Sequence, residues 1–299
     1  MKTVVIAGVD NYTFSAADLL NPAELKLVGY ATPIEEAWNI YNEAGQVIEN
    51  IEEMPIMPLE AAVKFEPDEI ILAAANKTDE ERLKYDVFRT GYMGEVVSLF
   101  EHYHDFSVTT AIIRKMAWRL DELGVEGSAA DLGCGHGDVA WQMNALMPDR
   151  KLILFDTFTG YDARDVMKEQ ELQTSDVKQG EYAFTVREQL RIDELLLGRM
   201  PYEKNVEIRK GWFPDTALEL EDEKYALVYM ETDLYAPTFA GIQYFFPRLS
   251  RGGVIVLKGY EDGKRRSVRK AVEDLEQQYG AFLITPLCDP DGTVVITCP

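Results

Sequence analysis

The stretch "DLGCGHG", Asp131 to Gly137, sets alternate glycines behind an acid. It lies between an apolar run that reads as a strand and a helical pattern ending near Pro148. The dinucleotide fingerprint G-x-G-x-x-G, begun at Gly133, needs glycine at 138, and that position is Asp138. A carboxylate at a helix start repels a pyrophosphate, which disfavours a nicotinamide or flavin cofactor. The next apolar run, "KLILFD", ends on Asp156, where a strand-end acid accepts both hydroxyls of a ribose. The plainer role for Asp156 is a helix N-cap. Farther on, "LVYMETDLYAPT" carries a strand directly into Glu231 and Asp233. The carboxyl ends of parallel strands form the active crevice of such sheets, so acids there are placed to take a proton. The plainer alternatives are a helix cap or a salt bridge to Lys258.

These residues need a sheet to hold them. From "GSAADLGCGHG" to "GTVVITC" the chain alternates six or seven strand patterns, most separated by helical ones. That regularity predicts an α/β fold with a doubly wound, mostly parallel, Rossmann-like sheet. The last pair of strands, around "CDPDG", predicts an antiparallel hairpin at the sheet edge. Ahead of this, Thr3–Val9, Leu25–Ala31 and Glu69–Ala75 read as short parallel strands, and Pro58 suits a helix start. They predict a small α/β domain over residues 1–80, with 81–299 as a helical lead-in and the main domain. Only Gly8 stands in the first loop, so this leader is expected to bind no dinucleotide. "MGEVVSLFEHYHDFSVTTAIIRKMAWRLDELG" predicts two helices broken near His104–Phe106.

Composition narrows the partners. Asp plus Glu is 52 against 30 Lys plus Arg, a formal charge of −22. Such a surface repels nucleic acid and anionic membranes. Cys134, Cys288 and Cys298 form no C-x-x-C pair, which disfavours zinc and fits a reducing compartment. The N-terminus reads as a strand rather than a signal peptide, and no run approaches a membrane span, so a cytoplasmic protein is expected.

The pattern D-x-G-x-G-x-G resembles the first motif of class I methyltransferases that use S-adenosylmethionine. That ligand has no phosphate. Gly133 and Gly135 would let the backbone approach it, and Asp131 would face its ammonium end. More specifically, "LILFDTFTGYDARD", "KGWFPDTALE", "ETDLYAPTFAGIQYFFPRLSRGG" and "SVRKAVEDL" resemble the macrocin O-methyltransferase family. The resemblance covers roughly Leu83 to Thr297. It implies S-adenosylmethionine as donor and a hydroxyl acceptor, here a sugar-like or other small polar metabolite; a homodimer or other homo-oligomer is also expected. The family's motif D-x-D-L-Y-x-P-T supplies an acid to a magnesium ion, and here it reads Glu231, Asp233, Leu234, Tyr235, Pro237 and Thr238. After "GGVIVL" the family has an acidic pair or His-Asp before a tyrosine, whereas this chain has Lys258 and Gly259 before Tyr260. An ammonium inside a magnesium shell repels the metal. The expectation is therefore no metal, with Lys258 in its place beside Glu231 and Asp233, although those two acids and water leave magnesium open.

Other residues have two readings each. Trp212 and Phe213 follow the third main strand, where an adenine edge lies in this fold, or belong to the core. His136 faces the acceptor or makes an ordinary loop hydrogen bond. His102 and His104 form a substrate wall or lie exposed. The basic run Tyr260–Lys270 is a solvated helix start or a clamp for an anionic acceptor. The rival functions are a degenerate methyltransferase fold used for binding or assembly, and a nicotinamide oxidoreductase, against which Asp138 argues.

Overall fold

The structure, a computed structural model, describes residues 1–8, 13, 16–33, 49–51, 53–74, 77–99, 108–261, 266–287, 289 and 291–299. His102, His104, Cys288 and the middle of the basic run, residues 262–265, lie outside them. The chain divides into two compact units, Met1–Ile112 and Ile113–Pro299. Among the described residues no helix is long and apolar enough to cross a membrane.

The first unit is built on β1 (Lys2–Ala7), β2 (Leu25–Thr32), β3 (Asn50–Ile51), β4 (Met54–Pro58), β5 (Glu69–Leu72) and β6 (Glu95–Ser98). Their order is β3-β4-β2-β1-β5-β6. Every pairing is parallel except β3 with β4. Helix α1 (Leu59–Ala62) starts directly after Pro58. Helix α2 (Lys77–Arg89) buries Leu83 and Val87 against Val5, Ile70 and Leu72. The boundary expected at residue 80 therefore falls inside an element of this unit, whose compact body runs to Ile112. The two helices expected over 93–124 are also corrected in part. "EVVS" is strand β6, because its β-branched pair completes the sheet beside β5, while α3 (Val108–Glu122) is the helix that follows.

The second unit carries β7 (Ser128–Leu132), α4 (Asp138–Leu146), β8 (Leu152–Asp156), α5 (Ala163–Leu172), α6 (Val186–Gln189), α7 (Ile192–Leu197) and β9 (Val206–Lys210). It continues with β10 (Tyr225–Met230), α8 (Tyr235–Phe245), β11 (Leu249–Leu257), α9 (Ser267–Tyr279), β12 (Leu283–Pro286) and β13 (Val294–Thr297). The order is β12-β13-β11-β10-β7-β8-β9, with β13 antiparallel to both its neighbours and the strands from β7 to β11 parallel. All of β7 and all of β10 are buried, as strands covered by helices on both faces must be. The expected hairpin is present with a difference. β13 inserts beside β11, where its Val-Val-Ile run is buried, and leaves β12 as the edge. An aromatic cluster of Phe155, Phe213, Tyr225, Tyr244 and Phe245 fills one face. β7 has its successor β8 on one side and β10 on the other. This reversal is the switch point of a doubly wound sheet, and ligands bind at the carboxyl ends of the strands there.

Candidate active site

A cavity of about 700 Å³ opens at that switch point. The glycine loop after β7, Asp156 at the end of β8, Trp212 past β9 and Glu231 and Asp233 past β10 all line it. Among the described residues its lining carries carboxylates and His136 but neither Lys nor Arg. All the site residues expected from the sequence meet here except Lys258, which reaches the cavity only through Glu231.

Asp131, the penultimate residue of β7, has 1% of its surface exposed, and neither carboxylate oxygen has a full hydrogen-bond partner among the described residues. Burial, and then the charges of Glu231 and Asp156, push its carboxyl well above the usual range, and the Ala140 N–H opposes the rise only weakly. A buried carboxylate so short of donors is costly, and a cationic ligand removes the cost. The two glycines divide their labour differently from expectation. A Cβ at Gly133 (φ +85°) would lie 2.3 Å from the Glu231 carbonyl oxygen, so this glycine lets the β7 and β10 loops touch. Gly135 (φ +51°) has open space around its missing Cβ and is the one that leaves room for a ligand.

Asp156 accepts the Gly135 N–H at 2.9 Å and the Phe158 N–H at 2.7 Å, one on each oxygen. Burial raises its carboxyl, and these N–H groups, with that of Thr157, oppose the rise. It caps the turn after β8 rather than a helix. The carboxylate keeps acceptor capacity for a hydroxyl. His136 stacks on Phe184 with centroids 4.2 Å apart. Phe213 is core and Trp212 is not. The Trp212 indole N–H donates to Asp165 at 3.0 and 3.2 Å, and Arg164 lies 3.8 Å over its ring.

The paired carboxylates face different partners. Lys258 Nζ lies 2.8 Å from Glu231 Oε1 and 3.6 Å from Asp291. Burial works against the Lys258 charge, but Glu231 and then Asp291 outweigh it and hold the ammonium above the usual lysine range. Glu231 Oε2 accepts the Tyr229 hydroxyl at 3.3 Å. Asp233, with a left-handed φ of +59°, instead accepts the Tyr161 hydroxyl at 2.9 Å. The expected single cluster of Lys258 with both acids is therefore corrected. Both acids lie past the end of β10, where the left-handed backbone of Asp233 sends the two side chains apart, and the ammonium belongs to Glu231 and Asp291. This donor set differs from an all-oxygen magnesium shell, because the Lys258 ammonium engages Glu231 where the metal would need an oxygen. In the basic run Arg269 pairs with Glu261 and Lys270 with Asp274.

Sequence reasoning missed three residues. Tyr161 and Asp165 come from the segment after β8, far in sequence from the partners they meet. The third is Glu169 in α5, fully buried. It accepts the hydroxyls of Ser267 (2.6 Å), Thr174 (2.6 Å) and Ser175 (2.7 Å) and the Tyr235 N–H (2.6 Å). It thereby ties α5 to the starts of α8 and α9 and fixes the loop that carries Asp233.

Sheet order, glycine loop and strand-end acids together define a class I methyltransferase, the class that takes its methyl group from S-adenosylmethionine. Residues 112–296 match the macrocin O-methyltransferase family, and the chain belongs to that family. A tetracenomycin rhamnosyl 4′-O-methyltransferase from Streptomyces olivaceus is 28% identical over 182 residues, which are 58% of this chain and 66% of that protein. The chain thus spans about two thirds of that relative's length. The crystal structure of the calicheamicin methyltransferase CalS11 is similar at a TM-score of 0.53 and 17% identity, over 88% of this chain and 99% of that one. The O-methyltransferase NovP gives 0.46 at 22% identity, over 62% of this chain and 77% of its own.

Proposed function

We propose that the protein is an O-methyltransferase acting on a hydroxyl of a small sugar-like acceptor without a metal ion. The observation that carries the reading is Asp131: two buried carboxylate oxygens that meet no full hydrogen-bond partner among the described residues, on the wall of a cavity at the switch point. When bound, S-adenosylmethionine supplies an electrophilic methyl carbon on a sulfonium. Asp131 meets its ammonium, and the free lone pairs of Asp156 receive the ribose hydroxyls. Gly135 leaves the loop open beside them.

Asp233 is the base. Tyr161 fixes its carboxylate, and its left-handed backbone turns it into the cavity, where it takes the proton of the acceptor hydroxyl as the oxygen attacks in line. Glu231 is engaged by Lys258, so its role is electrostatic. The Glu231–Lys258–Asp291 chain takes the place of a metal centre in charge, and no step passes through magnesium. The sugar acceptor is supported by the name of the Streptomyces relative, whose substrate is a rhamnosyl group.

The test is transfer of labelled methyl from S-adenosylmethionine to a panel of deoxyhexosides, with and without EDTA, for wild type and Lys258→Asp. Wild type should be indifferent to EDTA, and the variant should need magnesium. Wild-type loss in EDTA that magnesium restores would remove the metal-free part of the reading. Cofactor binding with no transfer to any acceptor would favour a binding protein on a methyltransferase fold, the reading that the Lys258–Gly259 replacement motivates.

A further inference from the structure

The site orders its ligand along three adjacent strands. The donor-poor acid and glycine loop stand at β7, the ribose acid at the end of β8, and Trp212, beyond β9, with its partner Asp165 of α5. A ligand with its ammonium at β7 and its ribose at β8 must lay its base toward β9. Asp165 is 5% exposed and lines the cavity. Its partner Trp212 supplies one shared N–H to its two oxygens, so lone pairs remain on both. Arg164 covers one face of the indole, is itself held by Asp162, and does not line the cavity. The indole is thus pinned from behind and the carboxylate pinned by the indole.

Resting on the cofactor reading above, we propose that Asp165 is the acceptor for the exocyclic amine of the cofactor's adenine, and so selects adenine over a base with a carbonyl at that position. Burial pushes the Asp165 carboxyl up to about 6, against the pull of the Trp212 N–H. Near neutral pH it remains mostly ionised and accepts only. An amine donor satisfies such a group. A carbonyl oxygen in the same place leaves a buried charge unpaired and adds repulsion, the situation in which a polar site rejects an analogue strongly.

The test is calorimetric binding of S-adenosylhomocysteine and S-inosylhomocysteine to the full chain, wild type and Asp165→Asn. Asparagine can still accept the Trp212 N–H while offering its amide N–H to a carbonyl, so a purely structural role of Asp165 survives the change. Wild type should prefer the adenine compound by about tenfold or more, the effect of one charged hydrogen bond. In Asp165→Asn that preference should shrink to about threefold or less. Equal wild-type affinities, or a preference undiminished in the variant, would overturn the assignment while leaving the cofactor reading intact. No binding of S-adenosylhomocysteine to wild type would overturn the cofactor reading and the assignment together. If the variant fails to fold, the wild-type ratio and the ratio in Trp212→Phe, which frees the carboxylate, still decide.

Discussion

The two sheets of this chain are both largely parallel, and each has a switch point beside its first strand, yet they end differently. In the first unit β1 and β5 run out into Ala7, Gly8, Ala73 and Ala74. A Cβ at Gly8 would lie 2.2 Å from the Ala73 carbonyl, and the Thr13 hydroxyl donates to that same carbonyl. Among the described residues, small side chains and backbone stand at those strand ends. In the second unit the corresponding ends carry Asp131, Asp156 and Glu231 around an open cavity. The architecture supplies a crevice, and the strand-end residues decide whether it becomes a site.

Alanine at the two strand-end glycines should break the comparison hardest. Gly133→Ala drives a Cβ into the Glu231 carbonyl, and a cost above about 4 kcal/mol is expected, the end of the range where single changes become diagnostic. Its readout is loss of both the thermal transition and S-adenosylhomocysteine binding. Gly8→Ala makes an equally close backbone clash, yet it should lower stability while calorimetry still finds the ligand bound. Asp156→Ala should weaken cofactor binding by about 2–3 kcal/mol, as for hydrogen bonds to a charged group. Unchanged affinity would remove Asp156 from the ribose site.

A smaller effect is expected from pH. Burial raises the Asp165 carboxyl to about 6, so the folded, ligand-free protein binds this proton more tightly than the unfolded chain. Stability from this group is therefore greatest at low pH and is lost as pH rises from about 4 through about 6. The loss is about 1–2 kcal/mol after screening, and Asp165→Asn should flatten it in melting curves taken across that range. The smallest effect sharpens the contrast from the other side. NAD should leave the melting temperature of the full chain unchanged. A shift that disappears when the first unit is deleted would reopen that unit as a dinucleotide site.

Much of the second unit was legible because its signals are local. The glycine loop, Asp156 and the "ETDLY" turn each lie within a few residues of a strand end. What stayed hidden depends on distant pairing. Nothing near Tyr161 announces Asp233, nor near Asp165 announces Trp212. Lys258 was visible, but its choice of Glu231 and Asp291 over Asp233 depends on a φ of +59° that the sequence does not show. β4 was obscured by two prolines in "MPIMP", which count against a strand until the sheet neighbour β2 is known. β6 was obscured because four residues inside an apolar stretch satisfy a helical period equally well.

Glu169 has a consequence for how the second unit opens. Hydroxyls from two segments and a backbone N–H from a third converge on one buried carboxylate. Releasing any one of them leaves a charge short of donors, so the cost of loosening one helix start falls on its neighbours. The first turns of α8 and α9 should therefore exchange their amide hydrogens as one cooperative block, at a single opening free energy. The Asp233 loop belongs to that block. Such a base would keep its aim through the breathing of the surrounding cleft, with the fluctuation left to segments that this knot does not bind.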